Sequence, residues 1–185
     1  SHMEMMLHHG EPEFETRPAG RLPLPMFGPA TTRDWRDGLP TLASAQCTLR
    51  ELTIDDAPSL CTHLTTEEVA RFISPPPTSV EGFEDFIRWA QRQRSGGRYA
   101  CFGVVPAGQT AAVGMFQVSV PGVETETAEW GFVLGSAFWG SGVFMAGAGR
   151  VIDFVFRELG VQLIDRAPHL LGGCDALVLE PAGEV

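Results

Sequence analysis

The triplet Gly140-Ser141-Gly142 stands between two runs of different apolar rhythm, and that position has a chemical use. Upstream, Trp130, Phe132 and Leu134 alternate with Glu129, Gly131 and Val133 at the period of a strand. Downstream, from Val143 through Val151, Phe154, Val155 and Leu159, the spacing becomes that of a helix. A helix start leaves backbone N–H groups without intrahelical acceptors and carries the positive end of the macrodipole, so small residues there can wrap a phosphate. The same order also serves as a plain tight connection, and on these residues alone both readings stay open. Two familiar phosphate motifs are excluded. The chain has no lysine, so it has no Gly-Lys-Ser/Thr of a P-loop, and Gly140-x-Gly142 is followed by Met145 where G-x-G-x-x-G needs a third glycine.

The other residues able to do chemistry are scattered. Cys47, Cys61, Cys101 and Cys174 form no C-x-x-C pair and are read as reduced, mostly buried thiols. His63 falls in an expected helix and His169 in an irregular tail, and packing or surface roles are the better reading of both. No histidine stands at metal-ligand spacing, so no metal is expected. The formal net charge of -10 argues against nucleic acid or an anionic membrane as partner and is compatible with a cationic acceptor. No run reaches the roughly 18 apolar residues of a membrane span and no signal peptide is visible at the start, so a cytoplasmic protein is expected. Ser1-His2-Met3 resembles the remnant of a cleaved tag.

At 185 residues and 44% hydrophobic, the chain suffices for one domain with a proper core. Residues 1–40 are rich in proline and glycine and read as an extended arm, in which Leu22, Leu24, Met26 and Phe27 would dock on the domain or on a partner. A first strand is expected at Cys47–Leu52, then helix starts at Thr53, at Thr65-x-x-Glu68 and at Thr78-x-x-Glu81. Leu60, Leu64, Val69, Phe72, Phe83, Ile87 and Ala90 supply the core faces, Pro75-Pro76-Pro77 stops the second helix and Ser95-Gly96-Gly97 the third. Tyr99–Val105 and Ala112–Val120 read as an antiparallel hairpin, and Pro121-Gly122 turns the chain into the strand Ala128–Leu134. The order is α+β.

Trp139-Gly140-Ser141-Gly142-Val143-Phe144-Met145, preceded by Glu129-Trp130-Gly131-Phe132-Val133-Leu134, resembles the acetyl-CoA-binding core of the GNAT acetyltransferases, in particular their RimJ/RimL branch. The resemblance implies a mixed, mostly antiparallel GNAT sheet flanked by helices. It also implies direct transfer of an acetyl group from acetyl-CoA to a primary amine, on a protein N-terminus or a small molecule. Carried over by position, Phe132, Val133 and Leu134 would line the pantetheine arm, and Trp139, Gly140, Ser141, Gly142, Val143, Phe144 and Met145 would surround the pyrophosphate. Trp139, Phe144 and Gly147 depart from the residues common in the family at those places. Glu129 is the candidate base, with Glu124 and Glu126 as alternatives, and amides near Leu134 would polarise the thioester carbonyl. The family's acid is commonly a tyrosine after the pyrophosphate helix and an asparagine often contacts the cofactor there. This chain has no asparagine and its one tyrosine, Tyr99, comes earlier, so neither role carries over; some relatives protonate the thiolate from water or a serine, and on that resemblance Ser136 is the nearest candidate acid.

On this reading the GNAT-like domain spans residues 41–165, and residues 166–185 form an atypical tail where a further helix and two strands would be expected. The domain is therefore expected to be truncated or replaced at its C-terminal end, with dimerisation a means of covering the exposed sheet. A second class stays open beside the enzyme: an inactive acetyltransferase-derived module that binds CoA or serves assembly.

Overall fold

The computed structural model describes residues 33–70, 76–120, 127–159 and 163–166. The expectations that fall on the arm before residue 33, on Phe72 and Pro75, on Pro121 to Glu126, on His169, on Cys174 and on the tail after Arg166 lie outside the described residues.

Among the described residues, six strands form one sheet in sequence order: β1 (Leu42–Ala43), β2 (Cys47–Glu51), β3 (Tyr99–Pro106), β4 (Gly114–Ser119), β5 (Thr127–Leu134) and β6 (Leu163–Arg166). The first five are antiparallel and β6 joins β5 in parallel, so the α+β mixed sheet is present. Between β2 and β3 come a 3-10 turn (Ile54–Asp56) and three helices, α1 (Ala57–Leu64), α2 (Glu67–Ala70) and α3 (Val80–Ser95). A second 3-10 turn (Ser136–Phe138) and α4 (Val143–Glu158) follow β5.

Both faces of the sheet are covered, which is why β3 and β4 are buried along their whole length. Helix α4 lies on the face carrying Leu49, Phe102, Phe116 and Phe132. Phe154 meets Phe102 edge-on with ring centroids 4.9 Å apart, and Phe144 lies 4.3 Å from Phe132. Trp35, in a turn just before β1, is buried edge-on against Phe154. Helix α3 covers the other face, where Trp89 packs on Tyr99 at 4.9 Å.

Two helix starts differ from expectation by one residue. Thr66 rather than Thr65 accepts the N–H of Val69, and Thr65 Oγ1 instead donates to the Cys61 carbonyl. Likewise Ser79, not Thr78, caps α3 by accepting the Gly82 N–H at 3.0 Å. At the first start, Asp56 closes the turn by accepting the Thr53 N–H at 2.8 Å. Asp56 is 2% exposed and also takes a bidentate pair from Arg50 and the N–H of Ala112. One carboxylate thus ties β2, the first helix start and the β3–β4 connection together.

Candidate active site

Strand β5 has two regimes. Among the described residues, Thr127 and Ala128 are paired with β6, Glu129 and Trp130 are paired on both sides with β4 and β6, and Gly131 to Leu134 are paired only with β4. The direction of its backbone groups follows from the ladder. Gly135 N–H donates to Val113 O, and Val133 O abuts Gly114, so odd-numbered residues here turn their groups toward β4. Alternation then points the N–H and C=O of Phe132 and the N–H of Leu134 to the other, open edge. The Leu134 carbonyl is occupied: Trp139 Nε1 donates to it at 2.9 Å. That bond folds the loop back against the strand end, a role for Trp139 that its residue type did not suggest.

The loop delivers a free helix start. Gly140 and Gly142 have φ of +71° and +82°, left-handed values that favour glycine, and a Cβ on either would meet nothing within 4 Å. Ser141 closes the loop on itself, its Oγ donating to the Phe138 carbonyl and receiving the Val143 N–H at 3.4 Å. The N–H groups of Phe144 and Met145 have no acceptor among the described residues, and Met145 is 61% exposed. Among the described residues, an open strand edge thus leads directly to unpaired amides at the positive end of a sixteen-residue helix. Phe132, Leu134, Val143 and Phe144 make the wall between them apolar.

The structure brings together Phe132, Leu134, Trp139, Gly140, Gly142, Val143, Phe144 and Met145 around this groove. Val133 contributes its side chain to the opposite face, by alternation. Glu129 and Ser136 are not brought together. They stand at opposite ends of β5, and at ~3.3 Å per residue they are separated by roughly 20 Å, so both cannot touch one reacting carbon. Glu129 is half-buried on the α3 face, paired with Ser119.

Three residues enter the region that the sequence reading left aside. His63, on α1, packs edge-on to Phe138 at 5.5 Å and closes over Gly135, so that a Cβ there would lie 3.0 Å from His63 Cβ. Gln117, the register partner of Gly131, is 1% exposed and accepts a hydrogen bond from the Tyr99 hydroxyl, while its Nε2 has no partner among the described residues. A glutamine inside the apolar run Gly114–Ser119 was the available signal, since burying an amide demands hydrogen bonds.

Residues 46–176 match the acetyltransferase (GNAT) domain. The chain belongs to the GNAT acetyltransferase family, whose members are acetyl-CoA-dependent. The match passes residue 166 and enters the segment read above as an atypical tail. The chain is 26% identical over 126 residues to the uncharacterized N-acetyltransferase p20 of Bacillus licheniformis, covering 68% of this chain and 71% of that one. In fold it is similar to the ribosomal-protein-S5-alanine acetyltransferase of Vibrio fischeri, with a TM-score of 0.60, 15% identity and coverage of 66% and 70% of the two chains. It is also similar to Mycobacterium smegmatis RimJ in complex with CoA-disulfide, with a TM-score of 0.56, 18% identity and coverage of 62% and 58%.

Proposed function

We propose that this chain transfers the acetyl group of acetyl-CoA directly to a primary amine, with a protein N-terminus or a small amine as acceptor. The observation that carries the reading is the edge of β5 over Gly131–Leu134, open among the described residues and ending at the amides of Phe144 and Met145, which have no acceptor among them. The pyrophosphate takes those amides, and the pantetheine arm runs back along the edge against Phe132 and Leu134. The thioester then lies toward Gly131, just past the described ladder with β6, and a strand N–H facing the edge polarises its carbonyl.

From that end, Glu129 is the carboxylate placed to take a proton, directly or through a water. The neutral amine attacks the carbonyl carbon, the C–N bond forms as C–S breaks, the ammonium proton passes to Glu129 and the thiolate takes up a proton from solvent. Ser136 lies at the pyrophosphate end of the strand and has no part in this step. The name of the Vibrio fischeri relative, a ribosomal-protein-S5-alanine acetyltransferase, supports a protein as acceptor.

The test is thiol release from acetyl-CoA in the presence of a panel of peptides and small amines, with product mass confirming N-acetylation. Glu129→Gln is expected to lower kcat by about 100-fold or more with acetyl-CoA affinity retained, the usual worth of a positioned base. Turnover that survives the change intact would remove Glu129 from the mechanism. Acetyl-CoA binding without transfer to any amine would remove the enzymatic reading.

A further inference from the structure

Among the described residues two large apolar side chains are exposed, Met145 at 61% and Phe156 at 38%, and both belong to α4. At about 100° per residue they come to within about 20° of one another after three turns, so they stand on one line about 16 Å long, with half-buried Ile152 beside it. The line faces away from the sheet, opposite Val151, Phe154 and Val155, which are buried. Its flank carries Arg150, Asp153 and Arg157, all exposed and none with an ion-pair partner among the described residues. Apolar groups on the surface, rimmed by charges of both signs, mark an interaction face.

The charges say what fits it. With a net charge of -10, most of the surface repels a second copy of the chain, whereas this face carries two arginines and one aspartate and does not. It is also complementary to itself. A two-fold axis places two α4 helices antiparallel and makes every contact twice. When Met145 is seated on Phe156 of the partner subunit, sulfur meets ring, and Asp153 comes beside Arg150 of the partner subunit. The same register carries the partner subunit's Arg157 to the first turn of α4, alongside Phe144 to Ala146.

That last placement bears on the cofactor groove. Residues 135–149 contain no lysine or arginine, so the loop offers a pyrophosphate its amides and no charged side chain. The chain's own Arg157 stands about 18 Å along the helix from Met145, out of reach of the loop. We propose that a second copy of this chain packs antiparallel on the outer face of α4, and that Arg157 of the partner subunit supplies a cation to the cofactor phosphates. The arginine's role rests on the acetyl-CoA reading above; the interface does not. A face about 24 Å long and about 10 Å wide falls short of the ~800 Å² per partner of a stable interface, so the dimer is reversible, with a Kd in the micromolar range. Acetyl-CoA, binding the dimer better than the monomer, tightens it.

The experiment is sedimentation velocity of the full chain over a concentration series spanning the micromolar range, with and without acetyl-CoA. The wild type is expected to move from one chain toward two, at lower concentration when acetyl-CoA is present, and Phe156→Glu to stay monomeric. Asp153→Arg is expected to weaken the dimer by setting like charges together, and Arg150→Asp/Asp153→Arg to restore it. Calorimetric titration at chain concentrations that favour the dimer reads the arginine. Arg157→Gln is expected to weaken acetyl-CoA about tenfold, the usual worth of a charged hydrogen bond, and to change nothing further in the monomeric Phe156→Glu background. A wild type that is monomeric throughout, or a charge exchange that does not restore the dimer, overturns the interface. Affinity unchanged in Arg157→Gln, or an equal loss in the monomer, overturns the arginine's role. A dimer that does not bind acetyl-CoA at all removes the cofactor reading, and the arginine's role with it, while the interface stands.

Discussion

Gly147 and Gly149 lie two residues apart in α4, and replacing each by alanine is expected to have opposite effects. In a helix interior alanine is favoured over glycine by about 1 kcal/mol. At Gly149, which is exposed, a Cβ meets nothing within 4 Å, so that preference is realised in full. At Gly147 the Cβ would stand 2.5 Å from Phe116 Cε2 and 3.1 Å from its Cζ. Ordinary carbon contacts are ~3.5–4.0 Å, so the ring would have to retreat by about 1 Å. Phe116 has nowhere to go, because Phe144, Phe132 and Trp130 pack around it with centroids 5.8, 5.9 and 6.3 Å away. Overpacking of this kind costs up to about 3 kcal/mol, which leaves Gly147→Ala destabilised by about 2 kcal/mol after the helical gain. At ~2–4 °C per kcal/mol for a chain of this size, Gly149→Ala should melt about 3 °C higher than wild type and Gly147→Ala about 6 °C lower. Thermal unfolding followed by circular dichroism gives both numbers. If the two variants shift the melting point alike, Phe116 is not wedged beneath Gly147, and the packing that aims the start of α4 at the cofactor groove is wrong.

Three further outcomes are expected. Asp56→Asn should cost about 3 kcal/mol in urea unfolding, because it leaves Arg50 without its charged partner at a 2%-exposed site. Burial alone would raise the Asp56 pKa, but the hydrogen bonds from Arg50, Thr53 and Ala112 outweigh it and hold it below the usual carboxylate value. Its contribution is therefore fully present above the unfolded value near ~3.9 and is lost as pH falls through the lower folded value. Wild-type stability should show that acid-limb loss, and Asp56→Asn should show a shallower one. Trp139→Phe removes the indole bond to the Leu134 carbonyl and should weaken acetyl-CoA about five- to tenfold by loosening the loop, a shift of the size of one hydrogen bond. An unchanged affinity would show that the loop holds its shape without it.

Much of this was legible from residue order, and the exceptions have physical reasons. The first strand was expected at Cys47–Leu52 and β2 runs Cys47–Glu51 with Cys47 and Leu49 buried, and the shift from period two to helical spacing around Gly140 marked the strand, loop and helix of the cofactor groove. Helix caps were one residue off because Thr65-Thr66 and Thr78-Ser79 each offer adjacent hydroxyls, and local pattern does not say which one the buried Val69 or Phe83 will bring into line. Glu129 and Ser136 look like neighbours in a list of candidates, yet an extended strand carries them to opposite ends of the groove. Gln117, Tyr99 and Gly131 come together only through strand register, and His63 reaches Gly135 only through the packing of α1 on β5. No local spacing encodes contacts of that kind.

The cofactor groove is tested most directly by calorimetric titration of acetyl-CoA into the wild-type chain and into Gly142→Asp. Aspartate tolerates left-handed backbone better than most residues, and Gly142 opens onto free space, so the fold should survive. Its carboxylate would stand where the pyrophosphate meets the α4 amides, and like charges ~5 Å apart near a protein surface cost about 3 kcal/mol, a loss of about 100-fold in affinity. Saturable wild-type binding that Gly142→Asp abolishes is the expected result. A folded wild type that does not bind acetyl-CoA, or an aspartate variant that binds it equally well, would contradict the placement of the cofactor on this loop.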